Sequence, residues 1–151
     1  MYPTFNNDKS KIYFCSNREN NKFGFYYVNV NPNTDIELLL SDNQTYEVFK
    51  DNTLSSISDD KCPYIYGNKM VFASNREGGF GGFDLYYSIL VDGEWTAPKN
   101  MGEKINSKFD EYRPILINEG VSETQTMMVF SSNRTGGKGG FDLYFVGVEN
   151  E

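Results

Sequence analysis

The segment Met70-Val71-Phe72-Ala73-Ser74-Asn75-Arg76 decides how this chain is read, because it returns as Met128-Val129-Phe130-Ser131-Ser132-Asn133-Arg134. A weaker copy stands at Ile12-Tyr13-Phe14-Cys15-Ser16-Asn17-Arg18. The three Ser-Asn-Arg triplets begin at 16, 74 and 132, so both intervals are 58 residues. Self-similarity at a fixed period marks an array of supersecondary units that bury their apolar faces against one another.

Outward from the triplets the likeness continues. Glycine loops follow the second and third, Gly78-Gly79-Phe80-Gly81-Gly82 and Gly136-Gly137-Lys138-Gly139-Gly140, and each leads into Phe-Asp-Leu-Tyr at 83–86 or 141–144. Unit one keeps Gly24 and Phe25 but places Tyr26 where this alignment puts Asp84 and Asp142. Ahead of the triplets stand Asp60-Lys61-Cys62-Pro63 and Glu111-Tyr112-Arg113-Pro114, with Tyr2-Pro3 alone before the first. The third unit is longer between proline and triplet, which implies an insertion around Glu119–Gln125.

Each unit therefore reads as an extended segment opening at the proline, an apolar strand ending in Ser-Asn-Arg, a glycine loop, and a strand rich in Tyr and Phe. Asp92-Gly93 is a tight-turn pair, so Glu94-Trp95-Thr96 is expected to fold back as a fourth, outer strand. The run Ile12 to Cys15 does not alternate, as befits a strand covered on both faces. Four antiparallel strands per repeat, stacked face to face, describe a propeller blade. The fold class expected is all-β, with three four-stranded antiparallel blades in one domain, 1–151: blade one about 1–57, blade two about 58–109 and an incomplete blade three about 110–151. Residues 36–57 read as an outer strand and an extended connection, since Asp42-Asn43 and Thr53 to Ser56 break any helical stripe. Three blades are too few to close a ring. A fragment of a larger propeller, a half-ring that dimerises, or a part completed by other chains is expected, and a partial ring leaves faces such as 11–15 or 126–130 open.

Composition bounds the function. Lys and Arg number 14 against 21 Asp and Glu, a formal charge of −7, which argues against a protein that binds by neutralising nucleic-acid phosphates. No apolar run reaches the length of a membrane span, and no leader pattern is present. Histidine is absent, which removes His-dependent nucleophilic catalysis and His-ligated metal. Cys15 and Cys62 lack metal or redox spacing and read as packed free thiols. No catalytic constellation, metal site or cofactor is expected.

Arg76 with Asp84, and Arg134 with Asp142, flank a glycine loop at the same offset of eight residues. A motif repeated in every blade serves the blade, so these pairs are expected to be ion pairs that buttress the loop rather than a ligand site. The loops are unlike a phosphate cradle, because a strand follows instead of a helix N-terminus. They also differ from calcium-binding nonapeptides, whose ligands repeat every nine residues or so. Asp59-Asp60 and Asp110-Glu111 supply the carboxylates a glycosidase would need, but their repetition ahead of each proline favours a strand-entry role. Trp95 is weighed as a sugar platform and read as packing.

These motifs as a set resemble the TolB-type WD-repeat-like β-propeller family, in the version found in envelope proteins that also carry OmpA-like peptidoglycan-binding domains. The stretch Glu94 to Gly102, then Ile105-Asn106-Ser107 and Asp110-Glu111, carries the resemblance together with the triplets and loops. The resemblance implies a non-catalytic adaptor for a protein or peptide partner, periplasmic or associated with the outer membrane. It also implies that residues opening the innermost strands, here Asp60, Glu111 and Arg113, engage that partner. A propeller glycosidase or carbohydrate-binding module is the rival reading, and a calcium-binding repeat module the third.

Overall fold

The computed structural model describes residues 2–41, 43–117 and 124–149. Their order is β1 (Thr4–Phe5), β2 (Lys11–Ser16), β3 (Gly24–Asn29), α1 (Ile36–Ser41), β4 (Phe49–Lys50), β5 (Asp60–Tyr66), β6 (Lys69–Ser74), β7 (Asp84–Val91), β8 (Glu94–Trp95), β9 (Lys99–Asn100), β10 (Glu111–Ile117), β11 (Gln125–Ser132) and β12 (Asp142–Glu149). They form three antiparallel sheets in chain order, one per repeat: β1-β2-β3-β4, then β5-β6-β7 with β8 and β9 on β7, then β10-β11-β12. The chain is all-β, built of propeller blades.

Register shows what the repeat encodes. Ser16, Ser74 and Ser132 lie opposite Gly24, Asp84 and Asp142. Unit one's loop is therefore two residues shorter than the others, and the residue standing in the acid's place is Gly24, not Tyr26. Tyr26, Tyr86 and Tyr144 are equivalent, each stacked on the matching Phe14, Phe72 or Phe130 at 5.9–6.2 Å.

The cores are the seams between blades. Tyr13, Cys15, Phe25, Leu54, Ile65, Met70, Phe72, Tyr86 and Trp95 fill the first, and Val71, Ala73, Leu85, Leu116, Met128, Phe130 and Val148 the second. Strand β6 sends Met70 and Phe72 one way and Val71 and Ala73 the other, which is why its sequence is apolar without alternation. Strand β2 is covered less evenly, with Tyr13 and Cys15 buried and Ile12 and Phe14 half-buried. The open apolar face of blade three runs from Ile115 on β10 to Leu143 and Phe145 on β12, with Met127 and Val129 of β11 half-buried between them. Leu143 and Phe145 are each 78% exposed, while Leu85, equivalent to Leu143, is fully buried against blade three.

Several expectations need correction. The outer strand of blade two is β9, paired with Tyr86 and Tyr87 as β4 pairs with Tyr26 and Tyr27. Glu94–Trp95 instead extends the end of β7 through the Asp92-Gly93 turn, in which both residues have positive φ. Within 36–57 a short helix, Ile36–Ser41, precedes the outer strand because Asp35 caps it, accepting from the Glu37 N–H at 2.8 Å. The inner strands open at Asp60 and Glu111, not at the prolines, which sit inside them at a register shift. Among the described residues blade three has three strands, and the insertion expected around Glu119–Gln125 falls mostly on 118–123, outside them.

Candidate functional site

The Ser-Asn-Arg triplet is a latch. Arg76 lies just past the end of β6, with its guanidinium 5.1 and 5.0 Å above the Phe72 and Tyr86 rings. That platform aims it at the inner strand, where Nη2 donates to Asp60 Oδ1 at 2.7 Å and to the Leu54 carbonyl at 2.9 Å. Ser74 Oγ donates to the same carboxylate oxygen at 2.6 Å, and the Ser56 N–H reaches Oδ2 at 2.5 Å. Asn75 Oδ1 accepts from the Asp59 N–H at 2.8 Å.

Blade three repeats this arrangement. Arg134 Nη2 donates to Glu111 Oε1 at 2.9 Å and to the Ile105 carbonyl at 2.7 Å, and Ser132 and Ser107 also donate to that carboxylate. Asn133 Oδ1 accepts from the Asp110 N–H at 2.8 Å. The segments 54–60 and 105–111 are thus connectors gripped by the blade that follows. They are tied equally to the blade before: Asp59 and Ser55 accept from the Phe23 and Phe25 N–H groups, and Asp110 and Asn106 from those of Phe83 and Leu85.

Two expectations fall here. Asp60 and Glu111 have no exposure to solvent and serve the latch, so they are not surfaces for a partner. The pairs Arg76–Asp84 and Arg134–Asp142 do not form. Each Arg reaches back to the inner-strand acid, while the Asp holds the glycine loop by itself. Asp84 accepts from the Phe80 and Gly81 N–H groups at 2.6 and 2.9 Å and from Asn100, and Asp142 accepts from those of Lys138 and Gly139. The loop's anion-binding geometry is filled by the chain's own carboxylate. The carboxylates considered for acid–base chemistry are likewise committed to backbone N–H groups and arginines. Trp95 is buried in the first seam, donating from Nε1 to the Tyr13 hydroxyl at 3.0 Å. Among the described residues no His, Cys, Asp and Glu gather as a metal site, and no helix is long and apolar enough to cross a membrane.

Arg113 is the one residue of the expected partner surface that is exposed, and it stands at a repeated irregularity. Tyr2, Cys62 and Arg113, each directly before a proline, have φ of 92°, 55° and 53°. Left-handed backbone in a residue other than glycine costs about 1–2 kcal/mol. A following proline disfavours the right-handed helical region, and a bulge lets the ring sit inside a strand without breaking the ladder. The three strained residues converge on a cavity of about 450 Å³ lined also by Lys61, Tyr112, Ser131 and Phe141.

Both cations there are held by rings rather than by carboxylates. Lys61 Nζ lies 4.9 and 4.8 Å from the Phe23 and Phe83 rings, and the Arg113 guanidinium lies 5.4 Å from Tyr2. Among the described residues neither takes part in an ion pair. Burial pushes the Cys62 thiol up to about 11, with Cys15 nearby adding to the rise. Burial, reinforced by Asp110, also raises Tyr112. The wall is thus neutral or cationic, with apolar rings. Lys61, Tyr112 and Phe141 were not read from the sequence as site residues. The signal available was the residue between acid and proline, repeated in both later units.

A solved structure shares this arrangement of sheets. The crystal structure of TolB from Acinetobacter baumannii superposes with a TM-score of 0.57 over 98% of this chain and 31% of that chain, at 19% sequence identity. The fold is TolB-like. At that identity the likeness is one of fold, and the chain matches less than a third of the TolB chain's length. No protein-family model matches the sequence, and no curated protein matches it in sequence.

Proposed function

We propose that this chain is a non-catalytic, TolB-like blade array that binds a protein or peptide partner at the cavity where its inner strands meet. The observation that carries this reading is the recurrence of a strained residue before proline in all three blades, aimed at one cavity. Strain held at equivalent positions is a mark of sites where the surroundings enforce a geometry for binding. The latches account for the triplets and inner-strand acids of blades two and three, whereas the charge and rings of the cavity serve no latch. Lys61, Arg113, Tyr2, Tyr112 and Phe141 suit an extended segment carrying carboxylates and apolar side chains. An envelope setting belongs to the same proposal by resemblance.

The test is capture of partners from a cell-envelope extract by the parent chain and by Arg113→Glu. A protein enriched by the parent and lost by the variant, with circular dichroism unchanged, supports the cavity as the site. Equal capture by both contradicts it. Hydrolysis of a glycoside by the parent chain would contradict the non-catalytic assignment.

A further inference from the structure

Two cavities meet at the three left-handed residues. The first, of about 450 Å³, has Lys61, Tyr112 and Phe141 in its wall. The second, of about 270 Å³, is walled by Pro3, Pro63 and Pro114 together with Tyr64 and Ile115. Tyr2, Cys62 and Arg113 line both, and no other described residue does. The two spaces are therefore divided by a bar of three side chains, one from each blade. Arg113 of blade three closes it against Tyr2 of blade one, with the guanidinium 5.4 Å from the ring. The residue between them, on blade two, is Cys62, whose short side chain is almost fully buried and leaves the span free.

We infer that Arg113 is a gate between two compartments of one binding site, which takes an acidic side chain of the bound segment in the first and the adjacent apolar side chain in the second. The inference rests on the reading of the first cavity as the partner's site and adds the order of chemistry along the segment. Both ends of the bar are exposed. A cation over an exposed ring is held weakly, whereas a guanidinium meeting a carboxylate gains charge-assisted, bidentate hydrogen bonds. Neither wall holds an acid, and Lys61 adds a second cation to the first. A carboxylate entering there therefore draws Arg113 off Tyr2 and joins the two spaces. The second compartment suits carbon, because its three prolines offer no N–H to a polar group. Consecutive side chains of an extended segment point to opposite sides, so an acid on one side of the bar places its neighbour on the other.

The probe is the blocked dipeptide acetyl-Asp-Leu-amide, titrated into isotopically labelled protein while backbone amide and arginine side-chain N–H signals are followed by NMR. Saturating shifts are expected together at Arg113, Cys62 and Tyr64, with acetyl-Asn-Leu-amide and acetyl-Asp-Ala-amide each weaker by about tenfold or more. Tyr2→Ala should tighten binding of the same probe, because Arg113 then has no ring to leave. A ring that only supplied contact area would make that variant bind more weakly, so weaker or unchanged affinity overturns the gate. Tyr2 is exposed, and an unchanged spectrum elsewhere checks that the variant keeps the fold. Shifts at Arg113 without shifts at Cys62 and Tyr64, or no shift with the probe at about 10 mM, overturn the inference. Partner capture that is lost in Arg113→Glu while the titration fails leaves the proposed function standing without the gate. Equal capture with a positive titration removes the partner reading and keeps the gate.

Discussion

Arg76 and Asp60 are 16 residues apart and form a 2.7 Å ion pair in which the carboxylate is fully buried, whereas Asp84, eight residues from Arg76, spends its oxygens on the glycine loop. A buried carboxylate is tolerable when it is paired and its other lone pairs are occupied, and here Ser74 and the Ser56 N–H do the rest. Removing one partner of such a pair costs about 3–5 kcal/mol. The latch therefore couples the geometry of each blade to the connector entering it.

Connector docking makes equivalent glycines unequal. A Cβ on Gly81 would strike the Phe109 carbonyl oxygen and lie 2.6 Å from that of Ser107, backbone atoms of the docked connector. At the equivalent Gly139 the nearest atom would be 3.9 Å away. Gly81→Ala is expected to destabilise by more than about 3 kcal/mol and Gly139→Ala by less than about 1 kcal/mol. Urea melts of the two variants check this, and equal costs would count against connector docking.

The hydrogen bond from Trp95 to the Tyr13 hydroxyl ties blade two to blade one inside the first seam. Tyr13→Phe strands the indole N–H and should cost about 1–3 kcal/mol. Trp95 is the protein's single tryptophan, so its emission reports the unfolding midpoint directly. A midpoint shifted by less than about 0.5 kcal/mol would mean the bond is not made.

Alkali should weaken the fold. Burial raises Tyr13 from 10.0 to about 12 against the opposing effect of the Trp95 bond, and raises Cys62 from 9.0 to about 11. Raised values mean the folded chain holds these protons more tightly, so the stability is complete below the unfolded values and is lost as pH climbs through the folded ones. Cys62 should remove up to about 1.4 kcal/mol per pH unit between about pH 9 and 11, and Tyr13 the same between about pH 10 and 12. Stability measured across that window tests this, and Tyr13→Phe and Cys62→Ser together should flatten the slope.

Much of the fold was legible because the repeat is explicit. Three triplets at equal spacing gave three sheets, and the continuous apolar run Met70 to Ala73 gave a strand buried on both sides. The partner of each arginine was not legible. Arg76 and Asp84 flank one loop, which favours pairing them by proximity in sequence. The Phe72 and Tyr86 platform instead turns the guanidinium across the sheet, and that platform exists only once β6 and β7 are in register. The left-handed residues before Pro3, Pro63 and Pro114 were hidden for a related reason. A residue before proline is ordinarily extended, and only the opposing strand forces the bulge. The helix at 36–41 escaped because a single cap, Asp35, sets six residues that carry no long stripe.

The account rests on the latch, and a pair of double-mutant cycles on blade three tests it most directly. Arg134→Ala combined with Glu111→Gln should show a coupling of at least about 1 kcal/mol, because removing the buried charge relieves the loss of its cation. Arg134→Ala combined with Asp142→Ala should be additive within about 0.5 kcal/mol. Coupling of Arg134 to Asp142, with none to Glu111, would contradict the latch and restore the loop ion pair in its place.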